Sequence, residues 1–196
     1  MATTTIASNN VGNNKMMGMQ PLKFSLWLFI VSILMIFASM TSAFIVRKGE
    51  GNWIIYNIPT VLWVSTIVIV LSSATMHWAL LSAKKDDKKN INLGLIVTIL
   101  LGVVFTITQY LAWNDLVAQK VFFAFANPGG SFFYVLTGLH AFHLISGIIY
   151  LLFTLYSGVN NKISSKNLLQ IEMCSTYWHF LDALWVYLFV FLLINH

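Results

Sequence analysis

The sequence has few charged residues, one cysteine and few prolines. Only 9% of its 196 residues are charged, whereas 58% are hydrophobic, and the mean hydropathy is +0.78. Soluble domains contain roughly a quarter charged residues, so the composition excludes an ordinary soluble domain and predicts an integral membrane protein. The single cysteine, Cys174, excludes an internal disulfide and supplies too few thiolates for a zinc or iron–sulfur site.

The three prolines leave the long apolar runs uninterrupted. Five runs are long enough to cross a bilayer, which takes about 20 residues of helix. They cover residues 24–46, 59–82, 91–113, 132–157 and 173–195. Pro59 suits the first turn of the second run, where its missing N–H costs nothing. We predict an all-α membrane protein, a bundle of five transmembrane helices over residues 23–196, preceded by a flexible polar tail of residues 1–22.

The positive charges predict the orientation of this bundle. With a cytoplasmic N-terminus, the cytoplasmic side receives Lys15, Lys23, Lys84, Lys85, Lys88, Lys89, Lys162 and Lys166. The opposite side receives only Arg47, Lys48 and Lys120. Because positive residues concentrate in cytoplasmic loops, we expect a cytoplasmic N-terminus and a periplasmic C-terminus. The lysines flank apolar runs and form no single basic patch, so no nucleic-acid partner is predicted.

Two histidine-bearing runs lie inside the predicted spans, where ionisable groups are costly and are usually kept for a purpose. The first is TGLHAFHLISG, residues 137–147, and the second is YWHFLD, residues 177–182. The pairs His140/His143 and His179/Asp182 are spaced i,i+3, so each pair shares a helix face. His77 falls at about the depth of His179. Asp182 needs a partner or a proton, and a histidine is the obvious candidate.

Four hypotheses account for this polar set. His143 and His179 are candidate haem ligands, and histidines with Asp182 are of the right type for zinc or copper. However, the set spans about 15 Å of depth, which is too far for one compact metal site. A proton path is the third hypothesis. If the path belonged to a proton-coupled transporter centred on Asp182, the helices would normally be broken in mid-membrane, whereas no proline interrupts the spans. A hydrogen-bonded set that holds the helices together ranks first.

Small residues mark candidate contacts between helices. Thr137, Gly138 and Gly147 lie in the fourth span, and Ala38 and Ser42 form a small-xxx-small pair in the first. Small side chains allow neighbouring backbones to approach closely. We therefore predict these positions as helix-packing sites.

Taken together, the two histidine-bearing runs resemble subunit III of the haem–copper terminal oxidases. Residues 137–147 match that family's T-G-x-H-x-x-H-x-x-x-G signature, and residues 177–185 match Y-W-H-F-x-D-x-x-W. Residues 72–77 resemble its S-S-x-T segment, and Gln109 stands where the family usually has glutamine. The resemblance covers all five predicted helices, and the two long signatures are specific in this order and spacing.

This resemblance implies a non-catalytic subunit of a cytochrome c oxidase in aerobic respiratory electron transport. It implies the short five-helix form, in a bacterial inner membrane. Its partners would be catalytic subunit I, other oxidase subunits and phospholipids, and it would support stability and proton uptake. No cofactor is expected in this chain, because haem and copper belong to the catalytic subunit. Membership of a larger supercomplex stays open. A quinol oxidase is the alternative, and a free-standing b-type cytochrome ranks lower.

Under this resemblance, the polar residues have structural roles and no catalytic or metal-binding ones. The inter-helix set is His77, His140, His143, His179 and Asp182. Candidate contacts with other subunits or lipid are Gln109, Trp178 and Trp185. One departure concerns the first helix, where the family typically has a carboxylate in a Ser-Glu-like dipeptide. The matching residues are Ser32 and Ile33, which puts in doubt any proton path through that position.

Overall fold

A computed structural model of the chain describes residues 21–49, 60–118, 128–160 and 167–195. The described residues form five helices: α1 (Pro21–Gly49), α2 (Val61–Lys84), α3 (Lys88–Ala118), α4 (Pro128–Val159) and α5 (Leu169–Asn195). All five are long and apolar enough to cross a membrane. The predicted all-α architecture, with five helices long and apolar enough to span a membrane, is confirmed for the described residues. Residues 1–20 of the predicted tail, and Pro59, lie outside the described residues.

The helices extend beyond the apolar runs that predicted them. For example, α3 begins at Lys88 and ends at Ala118, whereas its apolar run covers residues 91–113. Hydropathy marks the part of a helix that lies in hydrocarbon, but the backbone can continue as helix into the polar interface. A short turn joins α2 to α3, and Asp86 adopts a left-handed φ of 56° there. Asp87 then accepts a 2.7 Å hydrogen bond from the Asn90 side chain.

Four helices form a ring, and the fifth packs outside it. Around the ring, α2 contacts α3, α3 contacts α4, α4 contacts α5, and α5 contacts α2. Among the four other described helices, the outer helix α1 packs against α4 and α5 alone. Lys23 and Glu172 form a 2.7 Å ion pair between the first turns of α1 and α5. Lys48 donates a 2.9 Å hydrogen bond to the Asn195 carbonyl where both helices end. These two helices therefore run parallel, and their first turns mark what we call the α1-start end of the bundle.

Large aromatic side chains of α5 fill the centre of the ring. Trp178 and Trp185 are both buried. A Cβ atom added to Gly102 of α3 would lie 2.8 Å from the Trp178 ring, and Phe105 of α3 lies edge-on to Trp185 with centroids 5.0 Å apart. The side chains of α5 thus reach across the ring to the helix on its far side, which makes α5 the central helix.

The outer surface of the bundle is apolar. On α4, Phe142, Phe153 and Tyr156 are all largely exposed. On α1, Met35 and Val46 are exposed to a similar degree. Large apolar patches on a soluble monomer are rare, whereas a membrane-spanning helix presents such residues to lipid tails. The distribution of exposed residues agrees with helices that span a membrane.

We predict that Gly94→Ala destabilises the bundle. The added Cβ would lie 2.8 Å from the Ala79 Cβ and 3.2 Å from its Cα. Because a backbone atom cannot rotate away, α2 and α3 must separate, at a cost of about 1–3 kcal/mol. The measurement is the unfolding midpoint of the purified chain in detergent.

Gly138→Ala is the matched control for this prediction. Gly138 is also helical, and an added Cβ there meets nothing within 4 Å. The helix preference of alanine should leave its stability unchanged or slightly higher. Equal midpoints for the two variants would contradict the close packing of α2 against α3.

Candidate functional site

The candidate site is the set of buried polar side chains around α5. Hydrogen bonds from the two central tryptophans connect α5 to α2. The Trp178 indole N–H donates to the Ser72 hydroxyl at 3.1 Å, and the Trp185 N–H donates to the Thr66 hydroxyl at 3.1 Å. Tryptophans seven residues apart lie on one helix face, so both reach the same neighbour. Both tryptophans, predicted as candidate contacts with other subunits or lipid, are thus buried inside this chain.

Two glycines of the ring make room for Trp178. A Cβ on Gly147 of α4 would lie 3.3 Å from the Trp178 ring and 2.9 Å from Leu181, while Gly102 approaches the ring from α3. The predicted packing position Gly147 is therefore in close contact with α5. Gly138, predicted on the same grounds, has open space where a Cβ would be.

Other hydroxyl and amide groups join the remaining ring helices. The Gln109 amide of α3 donates to Ser65 of α2 at 3.1 Å. Trp113 of α3 donates to the Thr137 hydroxyl of α4 at 3.1 Å. Thr137 thus joins two helices, as its predicted packing role requires. Gln109 is 2% exposed, so its amide contacts this chain and is not free for a contact with lipid.

The two histidines of α4 face different surroundings. The His140 ring is fully buried against Trp185, at a centroid distance of 5.2 Å, and neither of its nitrogens has a hydrogen-bond partner in the described part of the chain. The His143 ring lies 5.9 Å from Phe37 of α1, and its Nδ1–H donates to the Leu139 carbonyl of its own helix at 2.8 Å. The i,i+3 spacing therefore does not bring these imidazoles into one polar site.

The polar groups of α5 face α2 at the α1-start end. His179 Nδ1 lies 2.6 Å from the Ser73 hydroxyl. The His77 and His179 rings are 6.2 Å apart, in agreement with the predicted common depth, and His77 is exposed. Asp182 is buried, and neither of its oxygens has a hydrogen-bond partner among the described residues. The expected histidine partner of Asp182 is absent there.

The predicted small pair on α1 lies on the outer surface. Both Ala38 and Ser42 are exposed, so in this chain they do not mediate the packing of α1 against α4 and α5. Ala38 borders a shallow apolar groove beside Phe37 and Tyr187. Spacing alone identified a surface suited to close approach, but it could not say which side of α1 faces the bundle.

Sequence reasoning did not predict the row of small residues along one face of α2. Ser65 and Ser72 are fully buried, as is Ala79 on the same face. These three small residues are spaced seven apart, which places them along one side of a helix. That spacing was a usable signal, because small polar residues in spanning helices commonly bond across to neighbours.

Candidate ligands for a cofactor do not converge. Among the described residues, no three His, Cys, Asp or Glu side chains form a group that could hold a metal ion. His143 faces α1 and His179 faces α2, so the proposed pair of haem ligands does not point at a common centre. The arrangement links helices and provides no convergent ligand set.

The fold and this site define a class: a membrane-spanning helical bundle whose buried polar side chains join neighbouring helices. The model of the family "Cytochrome c oxidase subunit III" matches residues 3–195. The chain therefore belongs to the cytochrome c oxidase subunit III family, and it is a subunit of the haem–copper terminal oxidases, which are oxidoreductase complexes. The resemblance read from the two histidine-bearing runs is confirmed.

Similar relatives come from bacteria and animals. "Cytochrome c oxidase subunit 3" of Bacillus sp. (strain PS3) is 28% identical over 183 residues, which are 91% of this chain and 84% of the relative. "Cytochrome bo(3) ubiquinol oxidase subunit 3" of Pseudomonas aeruginosa is 29% identical over 85% of this chain and 81% of its own length. "Cytochrome c oxidase subunit 3" of Drosophila yakuba is 30% identical over 86% of this chain and 67% of its own length. The family thus includes subunits of both cytochrome c and quinol oxidases.

We predict that Trp178 and Ser72 are energetically coupled. In a double-mutant cycle of Trp178→Phe and Ser72→Ala, the coupling should be about 0.5–1.5 kcal/mol, as for hydrogen bonds between spanning helices. Unfolding of the purified chain in detergent measures it. A cycle of Trp178→Phe with Ser39→Ala is the control, because the exposed Ser39 bonds only to its own helix at Ile36. Additive effects in the Trp178–Ser72 cycle would contradict the cross-helix bond.

Proposed function

We propose that the chain packs beside the catalytic subunit I of a proton-pumping cytochrome c oxidase and contains no redox centre itself. The observation that supports this is the use of the buried polar groups: Trp178, Trp185, Gln109 and Thr137 all bond across helices within the chain. A side chain already bonded to a neighbouring helix is not free to bind a cofactor. Haem and copper then belong to the partner, and this chain stabilises the complex.

The polar set, under this proposal, has a structural role. His77, His140, His179 and Asp182 lie on or beside α5, and the His143 ring lies between α4 and α1. Among the described residues, none of the five belongs to a group of three side chains that could hold a metal ion. The names of the Bacillus and Drosophila relatives support cytochrome c as the electron donor. The name of the Pseudomonas relative supports a quinol as the alternative electron donor. Phospholipids, which would cover the exposed apolar faces, are the other expected partners.

Copurification tests this function. An affinity-tagged chain expressed in its host should bring down a haem–copper core, with a haem spectrum in proportion to the chain. Single variants His143→Phe and His179→Phe should leave the spectrum per complex unchanged, because neither imidazole is a ligand. Absence of any haem–copper core would contradict the assignment. Bleaching by either substitution would instead favour a b-type cytochrome.

We further propose that the chain lies in a bacterial inner membrane with the α1-start end in the cytoplasm. Lysines at this end support the orientation: Lys23 lies in the first turn of α1, and Lys84, Lys85, Lys88 and Lys89 flank the turn between α2 and α3. Cytoplasmic loops are enriched in such residues. The C-terminal end of α5 would then face the periplasm.

Cysteine labelling tests the orientation. In a Cys174→Ala background, Gly49→Cys should react with a membrane-impermeant maleimide on intact spheroplasts, and Lys85→Cys only after permeabilisation. Both positions are exposed at opposite ends of the bundle. The reverse pattern of labelling would invert the proposed topology.

A further inference from the structure

A polar cleft opens at the α1-start end between α1, α2 and α5. It encloses about 430 Å³, and its ionisable lining residues are Lys23, Lys84, Glu172, His77 and His179. His77 lies seven residues before Lys84 on α2, and His179 lies seven residues after Glu172 on α5. Seven residues of helix cover about 10 Å. The cleft therefore leads from charged residues at the end of the bundle toward the two histidines inside it.

A hydrogen bond continues from the cleft into the protein. His179 lines the cleft and uses Nδ1 to bond Ser73 at 2.6 Å, which leaves Nε2 for the cleft. The Ser73 hydroxyl also neighbours the Asp182 carboxyl, although neither Asp182 oxygen has a hydrogen-bond partner among the described residues. Asp182 follows His179 by three residues, so both lie on adjoining positions of one helix face. A proton transfer between the two groups requires the Ser73 hydroxyl to turn toward Asp182.

Asp182 has little to stabilise a negative charge. It is 4% exposed and neither oxygen accepts a hydrogen bond among the described residues. On α2, Ser73 neighbours it, and the His77 ring lies beside His179. On α4, the His140 ring packs on Trp185 and the His143 ring packs on Phe37, and neither donates to Asp182 among the described residues.

The outer helix supplies no countercharge to Asp182 either. The ionisable residues of α1 lie only in its first and last turns: Lys23, Arg47 and Lys48. Lys23 pairs with Glu172, and Lys48 bonds the Asn195 carbonyl. A carboxylate buried without a cation or a donor costs far more free energy than the neutral acid. The packing therefore favours a carboxyl group that holds its proton.

We propose that Asp182 is a proton store that exchanges with the cleft through His179 and Ser73. A proton from water in the cleft adds to His179 Nε2. The Nδ1 proton moves to the Ser73 oxygen while the Ser73 hydroxyl proton moves to Asp182. One proton enters and one reaches the carboxyl, so His179 and Ser73 end neutral. The reverse sequence returns the proton to the cleft.

The proposed route ends at Asp182. One turn further along α5, Trp185 donates its only N–H to Thr66. Neither nitrogen of His140, beside it, has a partner within the described part of the chain. Asp182 thus stores a proton that exchanges with one side of the membrane, and the route does not cross the membrane. It concerns the chain alone and does not depend on the proposed partner subunit.

Infrared spectroscopy of the full chain in lipid nanodiscs tests the store. At neutral pH, the wild type should show a carboxylic-acid C=O band that Asp182→Asn removes. After transfer to D₂O the band should shift as the proton exchanges. His179→Phe should slow this exchange roughly tenfold or more, which corresponds to about 1.4 kcal/mol of added barrier.

His143→Phe is the matched control, because this buried histidine faces α1 and lies off the route. Its exchange rate should equal that of the wild type. Ser73→Ala is a second, smaller change in the route and should slow exchange as His179→Phe does. The proposal would be overturned if Asp182→Asn kept the carboxylic-acid C=O band. It would also be overturned if the His179, Ser73 and His143 variants all exchanged their proton at the same rate.

Discussion

The structure depends on how α5 is held in the middle of the bundle. Its two tryptophans occupy the centre of the ring, and each donates its indole N–H to a hydroxyl of α2. Lipid tails are as apolar as the side chains, so burial alone cannot drive these helices together, and packing and hydrogen bonds must do so. Each indole ring is large, so it provides contact area, and its single N–H donor fixes the orientation of the ring against α2. The positions of the other helices follow from this arrangement.

The glycines are a consequence of the same constraint. Trp178 occupies space that a side chain on α3 or α4 would need, and Gly102 and Gly147 leave that space open. Close approach lets many atoms of the indole reach their best separation from the neighbouring helices, where dispersion is strongest. The signature residues of α4 and α5 are therefore physically linked: the last glycine of one run accommodates the tryptophan of the other.

The number and type of helices could be predicted because each requires only its own sequence. Length and hydropathy identify a spanning segment without reference to any neighbour. The partners of the polar side chains could not be predicted in the same way. Residues spaced i,i+3 differ by about 60° around a helix, and that angle directs His140 toward Trp185 but His143 toward Phe37. Whether those directions meet α1, α3 or lipid depends on the ring order, which hydropathy does not encode.

The apolar first helix explains why the polar groups are distributed in this way. The family resemblance places a carboxylate near Ile33, but in this chain Ile33 is 1% exposed and part of the apolar core. Without an acid on α1, His143 satisfies its Nδ1–H on the Leu139 carbonyl of its own helix. On α5, Trp178, His179 and Trp185 bond to hydroxyls of α2, while Tyr177 bonds to Ser146 of α4 and Tyr187 to Thr41 of α1. The polar contacts of α5 thus reach α1, α2 and α4, and no acid in the middle of α1 takes part in them.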